Sequence, residues 1–188
     1  MKIILGSASP RRKNILASMG YECEVIPADI DEKAVRKDDP KELVLALANA
    51  KADAILPKLD NDSLLITSDS VVVFEDKIIE KPQTIAEAKG VLRGYGTKPI
   101  SIITAVAATN TKTGKRTQGI DAASIYFKPF TEELIEEFAG SGRALGHAGA
   151  FAAQDALFRP FIKSIEGSLE SIMGLPKELT QRLIEELQ

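Results

Sequence analysis

The chain begins with MKIILGSASPRR, residues 1–12, a stretch that carries the signals of a strand, a turn and a helix in succession. Lys2 to Leu5 is a short apolar run of the kind that fills a buried strand. Residues 6–8 are all small, Ser9 suits the N-cap of a helix, and Pro10 suits its first turn. We therefore predict a strand, a tight turn that a ligand can approach closely, and a helix that ends near residue 20.

This turn has the properties of an anion site. The free backbone N–H groups and the positive dipole end of the predicted helix point into it. Arg11 and Arg12 add two guanidinium groups, whose geometry matches phosphate oxygens. A capped surface helix with two solvated arginines is the alternative. The small residues before the cap, together with the paired arginines after it, favour a cradle for phosphate or polyphosphate.

The composition is that of a soluble globular protein. The chain has 188 residues, of which 44% are hydrophobic and 27% charged, and its net charge is −3. Such a charge excludes a global basic field for nucleic acid or a membrane surface, and no apolar run is long enough to span a bilayer. Cys23 is the one cysteine, so an internal disulfide is excluded and a reducing, cytoplasmic location is expected.

Predicted helices and strands alternate early, and a long hairpin follows later, which indicates an α/β protein with a mixed sheet. After the first strand and helix, a turn is expected at 61–63 and a hairpin tip at 75–77. Further strands are predicted at 21–26, 64–66, 71–74, 78–79, 100–108 and 119–127, and further helices at 40–56, 84–94, 131–138 and 176–187.

Lys51 interrupts an apolar stripe. On the helix predicted from Pro40 it shares one face with Val44, Leu47 and Ile55. A lysine in such a stripe usually extends its ammonium group to the surface, which is the simpler interpretation. The alternative is a lysine that projects from a packed helix into a charged cleft.

Asp69 interrupts the strand material at 64–74, within Thr67-Ser68-Asp69-Ser70. A tight turn between two strands would account for it. A buried carboxylate, however, needs a metal ion or a cationic partner, and we favour this functional interpretation.

Two further residues complete a set of side chains suited to phosphoryl transfer. Glu32 lies in a turn-rich acidic connection, and Lys81 lies at the end of a predicted strand. Cations hold phosphate oxygens, while carboxylates hold Mg²⁺ or orient a water molecule. A G-x-x-x-x-G-K-[ST] phosphate loop is absent from the sequence.

The chain resembles the Maf (septum formation) family of nucleoside triphosphate pyrophosphatases over nearly its full length. Together and in this order, the matching motifs are highly specific. They are Ser7–Arg12, Asp31-Glu32, Ala48–Ala52, Ser68–Val72, Lys81-Pro82, Thr104–Val106, Ala148–Phe151 with Gln154, Ile165–Gly167 and Gly174–Pro176.

The resemblance implies a single domain over residues 1–188. Its fold would be a curved mixed sheet with flanking helices, forming two lobes around a cleft, similar to inosine triphosphate pyrophosphatases. The implied reaction converts a nucleoside triphosphate, a pyrimidine or modified nucleotide, into the monophosphate and pyrophosphate with Mg²⁺ or Mn²⁺. A homodimer is left open.

By matching motif, the resemblance also assigns roles to individual residues. Glu32 and Asp69 are implied to be metal ligands, with Asp69 also the base for the attacking water. The implied stabilising cations are Lys51 and Lys81. The implied substrate-binding residues are Ser7, Arg11, Arg12 and Gln154.

The chain departs from the bacterial form of the family at several positions. It has Gly96–Pro99 where a Gly-x-x-His stretch is common, His147 where lysine is usual, Phe151 where tyrosine is usual, and Asp155 after Gln154. These differences leave the phosphate-binding residues intact and place the chain closer to the plant-like, eukaryotic branch. His147 either contacts substrate or packs in its turn. The alternative function is that of a non-catalytic, nucleotide-binding regulator of cell division.

Overall fold

The structure, a computed structural model, describes residues 1–60 and 62–187. Within this part of the chain, seven strands form one sheet, in the order β2-β1-β3-β5-β6-β7 with β4 paired to β3. The strands are β1 (Lys2–Leu5), β2 (Cys23–Val25), β3 (Ser63–Phe74), β4 (Lys77–Ile79), β5 (Ile100–Asn110), β6 (Arg116–Phe127) and β7 (Ile162–Glu166). Parallel pairs at β1 and antiparallel pairs at β4 and β7 make the sheet mixed, so the predicted α/β class is confirmed.

Five of the six α-helices among the described residues follow the predicted positions, with ends that shift by a few residues. The helices are α1 (Pro10–Ser18), α2 (Pro40–Ile55), α3 (Ile85–Gly94), α4 (Glu132–Gly140), α5 (Leu169–Ile172) and α6 (Lys177–Glu185). Ser9, Asp39, Thr84 and Thr131 each accept a hydrogen bond from the first turn of the helix that follows. Local capping chemistry therefore explains why these starts were predictable.

The order of the first three strands makes successive connections diverge at β1. Strand β1 lies between β2 and β3 and runs parallel to both. The chain passes through α1 to β2 on one side of β1, then through α2 to β3 on the other side. In α/β sheets, ligand crevices form beyond the carboxyl ends of strands where successive connections diverge in this way. Leu5 pairs with Ile66, so the residues that follow each of them meet at this point.

Strand β3 runs unbroken through residues 67–70, so the predicted interruption is wrong. The polar side chains stay in the strand because each has a partner. Thr67 Oγ1 donates to the carbonyl of Ala48 at 2.8 Å, and Ser68 Oγ donates to the carbonyl of Gly174 at 3.0 Å. Strand geometry can therefore be kept at positions whose composition is typical of a turn.

The predicted hairpin tip at 75–77 is confirmed as a two-residue turn. Phe74 pairs with Lys77, which leaves Glu75 and Asp76 to close the hairpin with φ values of 50° and 61°. Positive φ at both central residues is the signature of a type I′ turn, whose twist matches that of the strands. Of the turn predicted at 61–63, Asn61 lies outside the described residues.

The chain forms two compact units. The first comprises Met1–Ser70, Ile103–Asp121 and Met173–Gln188. In it, Leu5, Leu64 and Ile66 pack with the buried residues of α1 and α6, while Ile4 and Leu65 pack with Ala52 and Ile55 of α2. Because strand side chains alternate between faces, α2 lies on the face of the sheet opposite to α1 and α6.

The second unit comprises Val71–Ile102 and Ala122–Ile172. Its core is a set of edge-to-face aromatic contacts, among them Tyr95 with Phe74 and Phe138 with Phe158. Strand β7 and the short helix α5 were not predicted. β7 is a half-exposed edge strand, and its IKSIE sequence does not alternate between polar and apolar residues. Among the described residues, no helix combines the length and the apolar character needed to cross a membrane.

Candidate active site

The turn after β1 is packed against the protein itself. A Cβ atom at Gly6 would lie 2.6 Å from Cγ2 of Thr67 and 2.7 Å from Cδ1 of Ile55, so glycine is required here for internal packing. Ser7 is buried, and its Oγ accepts hydrogen bonds from the backbone N–H of Ser9 and from Nη1 of Arg12. The sequence analysis interpreted Gly6 as leaving space for a ligand, and the structure instead fills that space with Thr67 and Ile55. Ser7 lies beside Arg12.

Arg12 joins three parts of the chain. Its Nη1 donates to the carbonyl of Ser68 at 2.8 Å, its Nε to the carbonyl of Gly174 at 2.9 Å, and its Nη2 to Oγ of Ser70 at 3.1 Å. With the bond to Ser7, at least four of its five N–H groups have protein partners. Burial lowers the pKa of this guanidinium, and nearby Asp69 opposes that effect. Most donors of Arg12 are therefore bonded to the protein itself in this structure.

Arg11 is the arginine with unused donors. Within residues 1–60 and 62–187, no hydrogen bond or ion pair involves its side chain, although burial lowers its pKa. It acts electrostatically on Arg12 and so lies near it. The sequence treated the two arginines as equivalent, and the structure separates them.

Lys51 points from α2 to two carboxylates. Its ammonium bonds Oδ1 of Asp69 on β3 and lies 2.7 Å from Oε1 of Glu32. The Lys51 side chain is 10% exposed, so the interpretation of a lysine that extends to the surface is wrong. A buried ammonium with two carboxylate partners is held in a charged site, as the alternative required.

Asp69 is buried beside this ammonium. Burial raises the pKa of its carboxyl group, and the effect outweighs Lys51 and Arg12, which lower it. A carboxylate with a raised pKa is a stronger base at neutral pH than an exposed one. The turn interpretation of Asp69 is wrong, since the residue lies inside β3.

Glu32 is the exposed member of the acidic pair. It begins a single 3-10 turn, Glu32–Ala34, which Asp31 caps through the N–H of Lys33. Its side chain is 56% exposed, against 11% for Asp69. One carboxylate is thus fixed in the sheet, while the other lies on a turn that solvent reaches.

These bonds and electrostatic effects link the six predicted site residues that belong to the first unit. They are Ser7, Arg11, Arg12, Glu32, Lys51 and Asp69. Lys81 and Gln154 belong to the second unit. There Lys81 is exposed and Gln154 is half-buried. The carbonyl of Glu80, next to Lys81, accepts a hydrogen bond from the N–H of Gly149 at 3.2 Å.

His147 packs within its turn. Its Nδ1 lies 3.0 Å from the carbonyl oxygen of Arg143, and its ring lies 6.0 Å from that of Phe138. These contacts agree with the interpretation that His147 packs in its turn, one of the two that the sequence analysis left open.

Sequence reasoning gave no role to Ser70, Thr104 and Gly174. Ser70 Oγ lies 2.8 Å from Oγ1 of Thr104, which is buried in β5. Gly174 has φ +94°, and a Cβ atom there would lie 2.9 Å from Oγ of Ser70. For Gly174, the sequence signal was the Gly174–Pro176 segment, whose proline indicates the start of a helix. This signal does not reveal which distant residues Gly174 contacts.

The two predicted metal ligands, Asp69 and Glu32, are carboxylates, the ligand type that a divalent cation such as Mg²⁺ prefers. Among the described residues, no group of three or more His, Cys, Asp or Glu side chains is arranged to hold a metal ion. One oxygen of Asp69 and one oxygen of Glu32 contact the ammonium of Lys51, so a cationic group already lies between the two carboxylates. Mg²⁺ is commonly bound by one or two carboxylates, with waters and substrate phosphates as its other ligands.

An ammonium group paired with two carboxylates, with arginines nearby at the start of a helix, gives this α/β protein a set of groups suited to a phosphate-bearing ligand. The comparisons agree with that class. The chain belongs to the Maf-like protein family, whose sequence profile matches residues 2–187.

Named relatives are similar over nearly the whole chain. A 7-methyl-GTP pyrophosphatase of Dictyostelium discoideum is 38% identical, covering 98% of this chain and 96% of the relative. A dTTP/UTP pyrophosphatase of Vibrio parahaemolyticus is 33% identical, covering 99% and 97%. The solved structure of a nucleoside-triphosphatase, a dITP/XTP pyrophosphatase from Mycobacterium abscessus, aligns with 97% of this chain and 91% of its own at a TM-score of 0.47 and 12% identity. That TM-score is too low to carry an argument about this chain.

Proposed function

We propose that this protein hydrolyses a nucleoside triphosphate to the monophosphate and pyrophosphate, and so removes unwanted nucleotides from the cellular pool. The observation that carries the proposal is the Lys51 ammonium, which lies between the carboxylates of Asp69 and Glu32, next to the arginines that follow β1. A protein that only binds nucleotide has no need of a paired set of carboxylates and cations. The pyrophosphatase names of the relatives support the same reaction.

Each residue has a defined part in this reaction. Asp69 accepts a proton from the attacking water, whose oxygen bonds to phosphorus as the anhydride bond between the α- and β-phosphates breaks. Lys51 orients the Asp69 carboxylate and offsets negative charge that develops at the phosphates. The turn of Ser7, with Arg11 at the start of α1, binds the triphosphate. For Lys81 and Gln154, residues of the second unit, we keep the roles of stabilising cation and substrate-binding residue that the family resemblance implies. Arg12 keeps the backbone around Ser68 in place.

The proposal includes a divalent cation, Mg²⁺ or Mn²⁺, held by Asp69 and Glu32. When bound, such an ion neutralises phosphate charge as a Lewis acid. Because Lys51 already contacts both carboxylates, their geometry is established by the protein itself.

The substrate class we propose is a pyrimidine or modified nucleotide. The relatives support both a modified and a pyrimidine nucleotide, since one is named a 7-methyl-GTP pyrophosphatase and another a dTTP/UTP pyrophosphatase. Residues 1–188 would act as one Maf-like domain in the cytoplasm, in agreement with a family match over 2–187. Sedimentation of the purified protein tests for the homodimer that the resemblance left open.

The direct experiment measures pyrophosphate release over a panel of triphosphates that includes UTP, dTTP, 7-methyl-GTP and the four common ribonucleotides, with Mg²⁺ or Mn²⁺. We expect release from at least one pyrimidine or modified nucleotide, and none after chelation. Orthophosphate as the released product would contradict the proposed bond cleavage. Tight binding of a nucleotide without any release would favour the regulator instead.

A further inference from the structure

A polar cluster lies on the flank of α2 that does not carry Lys51. Arg116, at the start of β6, donates from Nη1 to Oδ1 of Asn49 at 2.9 Å and from Nη2 to Oδ1 of Asp53 at 2.6 Å. Its Nε donates to Oγ1 of Thr109 on β5 at 3.0 Å. One guanidinium group therefore joins the helix to two neighbouring strands within the first unit.

This contact fixes the helix in two directions. Asn49 and Asp53 are four residues apart, so they lie one above the other on the same side of α2. A planar guanidinium that bonds both, and is itself held by Thr109, opposes rotation of the helix as well as sliding along its axis. Asn49 Nδ2 adds bonds to the carbonyl of Leu45 and to Oε1 of Gln118 on β6.

Lys51 lies two residues from both Asn49 and Asp53. Two residues correspond to about 200° around an α-helix, so Lys51 projects from the opposite side. The carbonyl of Ala48 accepts the buried bond from Thr67, two residues before Asp69 on β3. The helix is thus held on both sides, with Lys51 directed at Asp69 and Glu32.

The cluster is exposed on one side only. The side chain of Asp53 is 67% exposed and that of Arg116 is 23% exposed, so the ion pair itself contributes modestly to the free energy of unfolding. A displacement of about 1 Å at a catalytic group, in contrast, can reduce turnover about a hundredfold. The cluster therefore bears on the position of Lys51 as well as on stability.

We propose that Arg116 is a positioning residue for this enzyme, and that it sets the rotation of α2 so that the Lys51 ammonium reaches both carboxylates. The inference rests on the proposed function for its kinetic consequence. Its geometric part, the placement of Lys51, can be measured without any substrate.

The test compares Arg116→Ala with Arg93→Ala. Arg93 forms a two-bond pair with Glu132 in the second unit, at 2.9 Å and 2.7 Å, and so provides the loss of a more exposed arginine pair away from α2. We expect Arg116→Ala to lower kcat about ten- to a hundredfold, with KM within about twofold of the wild type. Arg93→Ala should leave both constants within about twofold.

Two additions keep the test decisive. Asp53→Asn alters one exposed contact, so it will fold, and we expect a kcat loss of about three- to tenfold. Acylation of lysines by acetic anhydride, followed by mass spectrometry, reports directly on Lys51. We expect Lys51 to be labelled several times faster in Arg116→Ala than in the wild type or Arg93→Ala, because its ammonium leaves its partners.

The outcomes separate this inference from the proposed function. If the wild type releases pyrophosphate but Arg116→Ala matches Arg93→Ala in kcat and in Lys51 labelling, the positioning role is wrong. If the wild type hydrolyses none of the triphosphates, the proposed function fails, and faster labelling of Lys51 would still establish the placement by Arg116. A loss confined to KM would show that Arg116 acts on substrate binding instead.

Discussion

The ammonium of Lys51 bonds Oδ1 of Asp69, a carboxylate 18 residues later in the chain and on a different element. Both side chains are buried, and Glu32 contacts the same ammonium at 2.7 Å. Removal of charged groups from water is unfavourable, so this arrangement persists because each charge has a partner. One cation held by two carboxylates also positions the groups that phosphoryl chemistry requires.

Asp69→Asn tests the proposed base. The amide keeps the shape of the side chain but cannot accept a proton from water, so we expect turnover to fall at least a hundredfold. Pyrophosphate release measures the rate, and circular dichroism confirms that the variant folds. Asp60→Asn, at an exposed position of the same unit, serves as the control and should keep full activity. An active Asp69→Asn enzyme would remove Asp69 from the role of base.

Replacing Arg12 should lower the stability of the folded protein much more than replacing Arg11. Arg12→Ala removes the donors to the carbonyls of Ser68 and Gly174, so we expect a loss of about 2–5 kcal/mol in the free energy of unfolding. Arg11→Ala breaks no bond among the described residues and should change the free energy by under about 0.5 kcal/mol. Urea unfolding of both variants measures the difference.

Their kinetics supply the second half of this comparison. We expect both variants to raise KM for the triphosphate, because each removes a positive charge near the phosphates. An unchanged KM in Arg11→Ala would show that its free guanidinium faces solvent only. Equal stability of the two variants would contradict the structural part assigned to Arg12.

Glu32→Gln tests the divalent cation. A neutral amide is a weaker ligand than a carboxylate, so we expect the Mg²⁺ concentration for half-maximal activity to rise about tenfold or more. Direct binding of Mn²⁺, followed by electron paramagnetic resonance, should weaken in parallel. Glu24→Gln, on the edge strand β2, is the control. Full activity of the wild type in EDTA would exclude the cation from the reaction.

Tyr95→Phe tests a buried hydroxyl of the second unit. Tyr95 donates to the carbonyl of Gly149 at 2.9 Å, and burial raises the pKa of its phenol above the ordinary value of 10. The variant leaves this carbonyl without its donor, so we expect a loss of about 1–3 kcal/mol at pH 8.

The same variant predicts a pH dependence. The unfolded chain loses the phenolic proton near pH 10 while the folded protein retains it, so the contribution of Tyr95 to stability declines as pH rises above 10. The difference in melting temperature between wild type and variant should therefore shrink between pH 9 and pH 11. A constant difference across this range would contradict a raised pKa.

Much of the fold could be predicted because its signals are local. Ser9, Thr84 and Thr131 cap the helices that they were expected to begin, and Glu75-Asp76 closes the expected hairpin. Strand β7 was not predicted because an edge strand that is half-exposed on both faces lacks the alternation of polar and apolar residues. The break expected at 67–70 was wrong because distant partners satisfy those polar side chains.

The residue types of the site were visible in the chain as SASPRR, Glu32, Lys51 and Asp69, although a capped surface helix, a surface lysine and a tight turn were open as ordinary explanations. Short-range chemistry sets caps, turns and apolar faces, and these depend on residues within a few positions of one another. Which arginine is bonded and which is free depends on Ser68 and Gly174, which lie 56 and 162 residues away from Arg12. Contacts at such separations form only when the sheet brings β1 and β3 side by side, so the tertiary structure alone assigns Arg12 to the framework and Lys51 to the two carboxylates.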